Sequence, residues 1–167
     1  MFWDYLRKEN KERLDRLNLP PTAGTVKMLI FDNYTPYTLD ILPDMEIFPA
    51  EPKSGMHGTW CGQVAKLVYP ELELHGCGYN FDVMAVVNYA IENNIKIILA
   101  SFNYTKTDAK EAALKKYYDW GGIFVTSAGN NDGRPIAYPG RSPYTICVSA
   151  TNSDDNDGPE IDVTGDS

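Results

Sequence analysis

Short apolar runs separated by stretches of helical spacing constrain this chain more than any other feature. Val26–Phe31 is nearly all apolar, as a strand covered on both faces must be. Ile95–Phe102, Ile123–Ser127 and Thr145–Ala150 read as further strands, and Leu72, Leu74 and Cys77 mark a short one. Between them, His57 to Val68 has helical spacing through Cys61, Val64, Ala65 and Val68. A second helix is predicted over about 81–93, with Asn80 as N-cap and Asn93-Asn94 as exit; a third runs from Thr107, its cap, to Trp120, leaving through Gly121-Gly122. The β-α-β-α order predicts an α/β fold, three layers with a mainly parallel sheet in the middle and right-handed crossovers. In such a sheet the residues that meet substrate gather beyond the carboxyl ends of the strands, which puts Asp32, Ser101 to Asn103 and Ser127 to Asn130 on one edge.

Two stretches lie outside that alternation. Residues 2–17 carry Phe2, Trp3, Leu6, Leu14 and Leu17 among charges, so residues 1–24 are predicted to be an amphipathic helix and linker ahead of a domain over 25–167. Residues 33–56 hold Pro36, Pro43, Pro49 and Pro52 without a sustained period and are predicted to be a long irregular connection.

Composition narrows the partners. The 167 residues suit one ordinary domain, and a net charge of −8 repels a phosphate backbone, so nucleic acid is not expected. No run approaches the roughly 18–20 apolar residues of a membrane span, so no membrane partner is expected. The first residues, Met1 to Lys8, show no secretory pattern, which predicts a cytoplasmic protein unless a leader has been removed. Cys61, Cys77 and Cys147 are an odd set without a C-x-x-C pair and read as small buried hydrophobes rather than disulfide or zinc ligands.

An Asp at a strand end, a His at a helix start and Ser-Ala-Gly-Asn after another strand supply three parts of an acyl-transfer site. The carboxylate fixes the imidazole, the imidazole takes a nucleophile's proton, and the amide meets the oxyanion. Taken singly, Asp32 reads equally well as a loop cap, and a lone His57 as a structural residue. The local wording is more specific. His57-Gly58-Thr59-Trp60-Cys61-Gly62-Gln63-Val64-Ala65 resembles the histidine motif of the subtilisin-like serine proteases, the subtilases. Leu29-Ile30-Phe31-Asp32 is similar to their aspartate strand, Ala100-Ser101-Phe102 to their substrate-pairing strand, and Ser127-Ala128-Gly129-Asn130-Asn131 to their oxyanion segment. Tyr138-Pro139-Gly140 through Thr151 is similar to the loop and strand that follow, so the resemblance spans about 26–164.

The resemblance implies a serine endopeptidase of the subtilisin-like fold that hydrolyses peptide bonds through an Asp/His/Ser triad. It makes Asp32 the orienting carboxylate, His57 the general base and acid, and Asn130 the oxyanion donor. Ser101, Phe102 and Asn103, facing Ser127, Ala128 and Gly129, would hold a peptide or protein substrate by strand addition. It also implies a cis Tyr138–Pro139 bond. Asn33 and Tyr34 stand where the family has a small residue and glycine, and Gln63 and Asn103 replace glycines, so the turn after Asp32 and the substrate cleft are expected to differ. The family's nucleophile segment, G-T-S-x-[AS]-x-P, does not occur, and Ser167 has no helix after it. The chain therefore reads as the N-terminal part of a catalytic domain, inactive alone, its uncovered core favouring self-association. The rival is a non-catalytic pseudoprotease that binds peptides or regulates. No cofactor and no metal are expected: Ser153 to Gly158 has the look of a calcium loop, but Ser153 takes its first ligand position and Thr164 its twelfth, which favours a solvated acidic loop.

Overall fold

The structure is a computed structural model that describes residues 25–34, 38–48, 55–130 and 135–149. The expected helix over 2–17, Asn131 and everything from Ala150 onward, the acidic loop included, lie outside the described residues. The chain forms two compact units and passes from the first to the second between Tyr79 and Asn80.

In the first unit, strands β1 (Lys27–Asp32), β2 (Glu46–Phe48) and β3 (Glu73–Gly78) run parallel in the order β2-β3-β1. The apolar run of β1 is buried from Leu29 to Asp32, as its composition requires. Its register pairs Asp32 with Gly78, and the Tyr79 N–H donates to the Asp32 carbonyl at 2.9 Å, so the aspartate is the last residue of the ladder. The connection over 33–56 is not wholly irregular: it holds a one-turn helix, α1 (Thr38–Ile41), and β2. Elements of four and three residues are too short to carry a period, and the prolines fall outside both. Helix α2 spans His57–Val68, as its spacing predicts. It comes close to the rest of the unit at Gly62, where an added Cβ would lie 2.8 Å from Leu42 Cδ1, while the neighbouring Gln63 is only half-buried.

In the second unit, β4 (Ile97–Ala100), β5 (Ile123–Ser127) and β6 (Thr145–Val148) run parallel in the order β4-β5-β6. Helices α3 (Val83–Glu92) and α4 (Asp108–Asp119) pack on each other, burying Val83, Val86, Val87 and Ala90 of one and Ala113, Leu114 and Tyr117 of the other. Each valine or leucine among them, fully buried, contributes about 1.5–3 kcal/mol. Helix α3 starts two residues later than predicted. Its cap is Asp82, whose carboxylate accepts from the Met84 and Ala85 amides at 3.0 and 3.2 Å, not Asn80; a carboxylate also complements the positive end of the helix. Thr107 caps α4 as predicted, and Gly121 leaves it with φ +86°. Strand β4 is shorter than expected because Ser101 and Phe102 have already left the ladder, and β6 alternates, with Ile146 and Val148 exposed.

Candidate active site

Asp32 ends a buried strand, so its carboxylate is 5% exposed and must find partners. Both oxygens do. Oδ1 accepts the Asn33 main-chain N–H at 2.7 Å, and Oδ2 lies 2.8 Å from Nδ1 of His57, the first residue of α2. With its Nδ1–H donated to the Asp32 carboxylate, a neutral imidazole carries its lone pair on Nε2, and half of the His57 side chain is open to solvent. This arrangement can accept a proton at Nε2 and stabilise the resulting imidazolium.

The two departures after Asp32 hold that pair together. Met56, which precedes α2, offers no side-chain cap. Asn33 offers one instead: its Oδ1 accepts from the His57 N–H at 3.0 Å and, more weakly, from the Gly58 N–H at 3.4 Å, while its own carbonyl accepts the Gly58 N–H at 3.0 Å. The helix start is thereby pressed onto residues 32–34. A Cβ on Gly58 would sit 2.6 Å from the Asn33 oxygen and 2.9 Å from Asp32 Cβ, so only glycine fits. Tyr34 is 1% exposed, covers Gly58 and Gly76, and donates its hydroxyl to the Ile30 carbonyl. Burial, and then the charge of Asp32, keep that hydroxyl protonated well above the ordinary tyrosine range.

Cys61 lies one turn after His57, with Sγ 3.9 Å from Nδ1. Among the described residues, Asp32, His57 and Cys61 form the group of side chains that could hold a metal ion, their ligand atoms within 4.8 Å of one another. All three cysteines are free; Cys77 is buried, which pushes its thiol up to about 12, whereas Cys61 and Cys147 are half-buried.

The remaining predicted site residues belong to the second unit. Ala100 pairs with Thr126, so Ser101–Asn103 and Ser127–Asn130 leave the same ends of neighbouring strands. Ser101, Phe102 and Ser127 to Gly129 are half-buried, and Asn103 and Asn130 are exposed. The Ala128 N–H donates to the Val148 carbonyl at 3.0 Å, and the Ala137 N–H to the Ala128 carbonyl at 3.1 Å. Gly129 takes φ +99°, a conformation that disfavours a side chain. The Tyr138–Pro139 bond is cis. Tyr138 donates its hydroxyl to Glu111 Oε2 at 2.8 Å, and its ring meets Tyr104 edge-on at 5.3 Å.

The parallel α/β fold is shared with the subtilisin-like proteases. The prenylagaramide maturation protease PagA superposes with a TM-score of 0.64 at 15% identity, over 77% of this chain and 55% of that one. The PatG macrocyclase in complex with peptide does so with a TM-score of 0.56 at 17% identity, over 77% and 58%. The model of the subtilase family, Peptidase S8, matches residues 50–160, and the chain belongs to that family. Over 98 residues it is 31% identical to the minor extracellular protease Epr of Bacillus subtilis (strain 168), a stretch that is 57% of this chain and 15% of Epr. The chain thus spans little more than half of these solved chains and a small part of Epr.

Proposed function

We propose that the chain supplies the Asp/His part of a serine endopeptidase. His57 is the general base and acid, Asp32 fixes its tautomer and balances the imidazolium, and Asn130 donates to the tetrahedral oxyanion. Peptide adds as a strand along Ser101–Asn103, opposite Ser127–Gly129. The observation that carries this reading is the 2.8 Å contact between His57 Nδ1 and a buried Asp32. Family membership and a solved relative holding a peptide support it. A non-catalytic binding protein would not need that pair, and the departures at Asn33 and Tyr34 leave it in place. The hydroxyl that His57 would activate belongs to a G-T-S-x-[AS]-x-P segment that these 167 residues do not contain, so the chain alone should show no serine-type turnover.

Incubating the chain with a fluorophosphonate probe and casein, with His57→Ala as control, tests this. No labelling and no cleavage are expected, with His57-dependent activity appearing once the chain is extended by such a segment. His57-dependent labelling of Ser167 in the chain alone would overturn the inactivity. An appended chain that stays inert while retaining the Asp32–His57 contact would favour the binding protein.

A further inference from the structure

The second unit has a slot with three main-chain walls. Ser101–Tyr104 and Ser127–Asn130 run off neighbouring strands, and residues 137–138 close the third side: the Ala137 N–H donates to the Ala128 carbonyl at 3.1 Å, and the Tyr104 N–H to the Tyr138 carbonyl at 3.0 Å. The width of the slot is set at Gly129. A Cβ there would lie 2.9 Å from Asn103 Nδ2 and 3.3 Å from the Ala137 methyl, so the Asn103 amide reaches from one wall into the space beside the other. Main-chain hydrogen bonds hold the walls, which makes widening by small side-chain adjustments costly.

We propose that Asn103 is a specificity-determining residue, and that it restricts the substrate residue bearing the attacked carbonyl to glycine or alanine. The inference rests on the reading of Ser101–Asn103 as the substrate edge and Asn130 as the oxyanion donor. A peptide lying along Ser101–Asn103 with its carbonyl at Asn130 has the α-carbon of that residue one bond away. Its side chain must enter between Asn103 and Gly129, where the carboxamide already stands. A hydrogen or methyl fits there. A benzyl or isobutyl group would have to displace the carboxamide or spread the walls. Asn103 is itself exposed, so its removal opens the slot without emptying a core. Pocket shape of this kind discriminates side chains by roughly 10- to 200-fold.

The test uses the full chain, 15N-labelled, titrated with acetyl-Ala-Ala-Pro-Ala-amide and acetyl-Ala-Ala-Pro-Phe-amide while the amide resonances of residues 101–103 and 127–130 are followed. The alanine peptide should shift them with an affinity at least roughly tenfold above that of the phenylalanine peptide. Asn103→Gly should abolish or reverse the preference, and Asn103→Ala should reduce it, with the rest of the spectrum unchanged. Equal binding of both peptides to the native chain, or a preference that survives Asn103→Gly and Asn103→Ala, would overturn the role of Asn103 and leave the peptide cleft standing. If neither peptide moves these resonances in any of the three chains, the peptide cleft itself is refuted and the proposal goes with it.

Discussion

The two units start their helices in opposite ways. In the second, each cap is the residue just before the helix: Asp82 for α3 and Thr107 for α4. In the first, α2 takes its cap from Asn33, 24 residues upstream, and the same asparagine donates its main-chain N–H to Asp32. A local cap stabilises only its own helix. A distant one also fixes where the helix begins relative to another strand, which is what a histidine at the first helical position needs if it is to meet an aspartate at a strand end.

Each unit also buries one tyrosine that donates to a main-chain carbonyl, Tyr34 to Ile30 and Tyr117 to Ile95. Tyr34→Ala and Tyr117→Ala should be the most damaging changes, each costing about 3–5 kcal/mol in urea unfolding. Only Tyr34→Ala should also remove the downfield His57 Nδ1–H resonance, because its ring supports the segment under Gly58; loss of that resonance in both variants would erase the distinction between the units.

Cap removal is the next largest effect. Asn33→Ala and Asp82→Ala should each cost about 1 kcal/mol in thermal or chemical unfolding. Asn33→Ala should in addition speed solvent exchange of the His57 Nδ1 proton, and Asp82→Ala should leave it unchanged. Equal exchange in the two variants would reduce Asn33 to an ordinary cap.

The smallest effect is electrostatic. Glu73 on β3 faces its register partner Lys27 at 2.9 Å and accepts from His75 at 3.1 Å, and these bonds, Lys27 first, hold its carboxyl below the ordinary glutamate range. A depressed folded value means that the stabilisation is present above the unfolded value, about pH 4.3, and fades as pH falls through the folded one. Glu73→Gln should therefore cost about 0.5 kcal/mol at pH 7, since the pair is partly exposed, and nothing once both states are protonated. Asp119→Asn, which breaks a contact inside α4, should move the melting temperature less. A Glu73 effect that grows on acidification would contradict the sign.

What could be read in advance follows the same division. Helix α2 was legible residue by residue because an apolar face repeats over three turns, and Thr107 because a cap and its helix are adjacent in sequence. Strand β5 was legible because its apolar run is bounded by Gly122 and Ala128-Gly129. Asn80 was preferred to Asp82 because both are good caps and only the hydrogen bonds to Met84 and Ala85 separate them. The short elements α1 and β2 fell below the length at which a period exists. At the candidate site, motif wording pointed to Asp32 and His57, whereas the work of Asn33 and Tyr34 left no local trace: they read as departures from a pattern, and their partners lie 24 or more residues along the chain at His57, Gly58 and Gly76. Asn103 was legible as a replaced glycine, but not that its amide stands in the space a side chain on Gly129 would take.

The crowding around Asn33 also constrains how this chain can change over time. A Cβ on Gly55 would fall 2.4 Å from Asn33 Nδ2, and one on Gly58 would fall 2.6 Å from the Asn33 oxygen. Positions 33 and 55 are therefore not independent letters, whereas 58 is held to glycine whatever stands at 33, because the oxygen it meets is main-chain. A larger residue at 55 meets two obstacles, the Asn33 carboxamide and a φ of +139° that favours glycine; shrinking 33 removes only the first, and a shrunken 33 gives up the acceptor that α2 lacks on its own side. Double variants at 33 and 55 should depart from additivity.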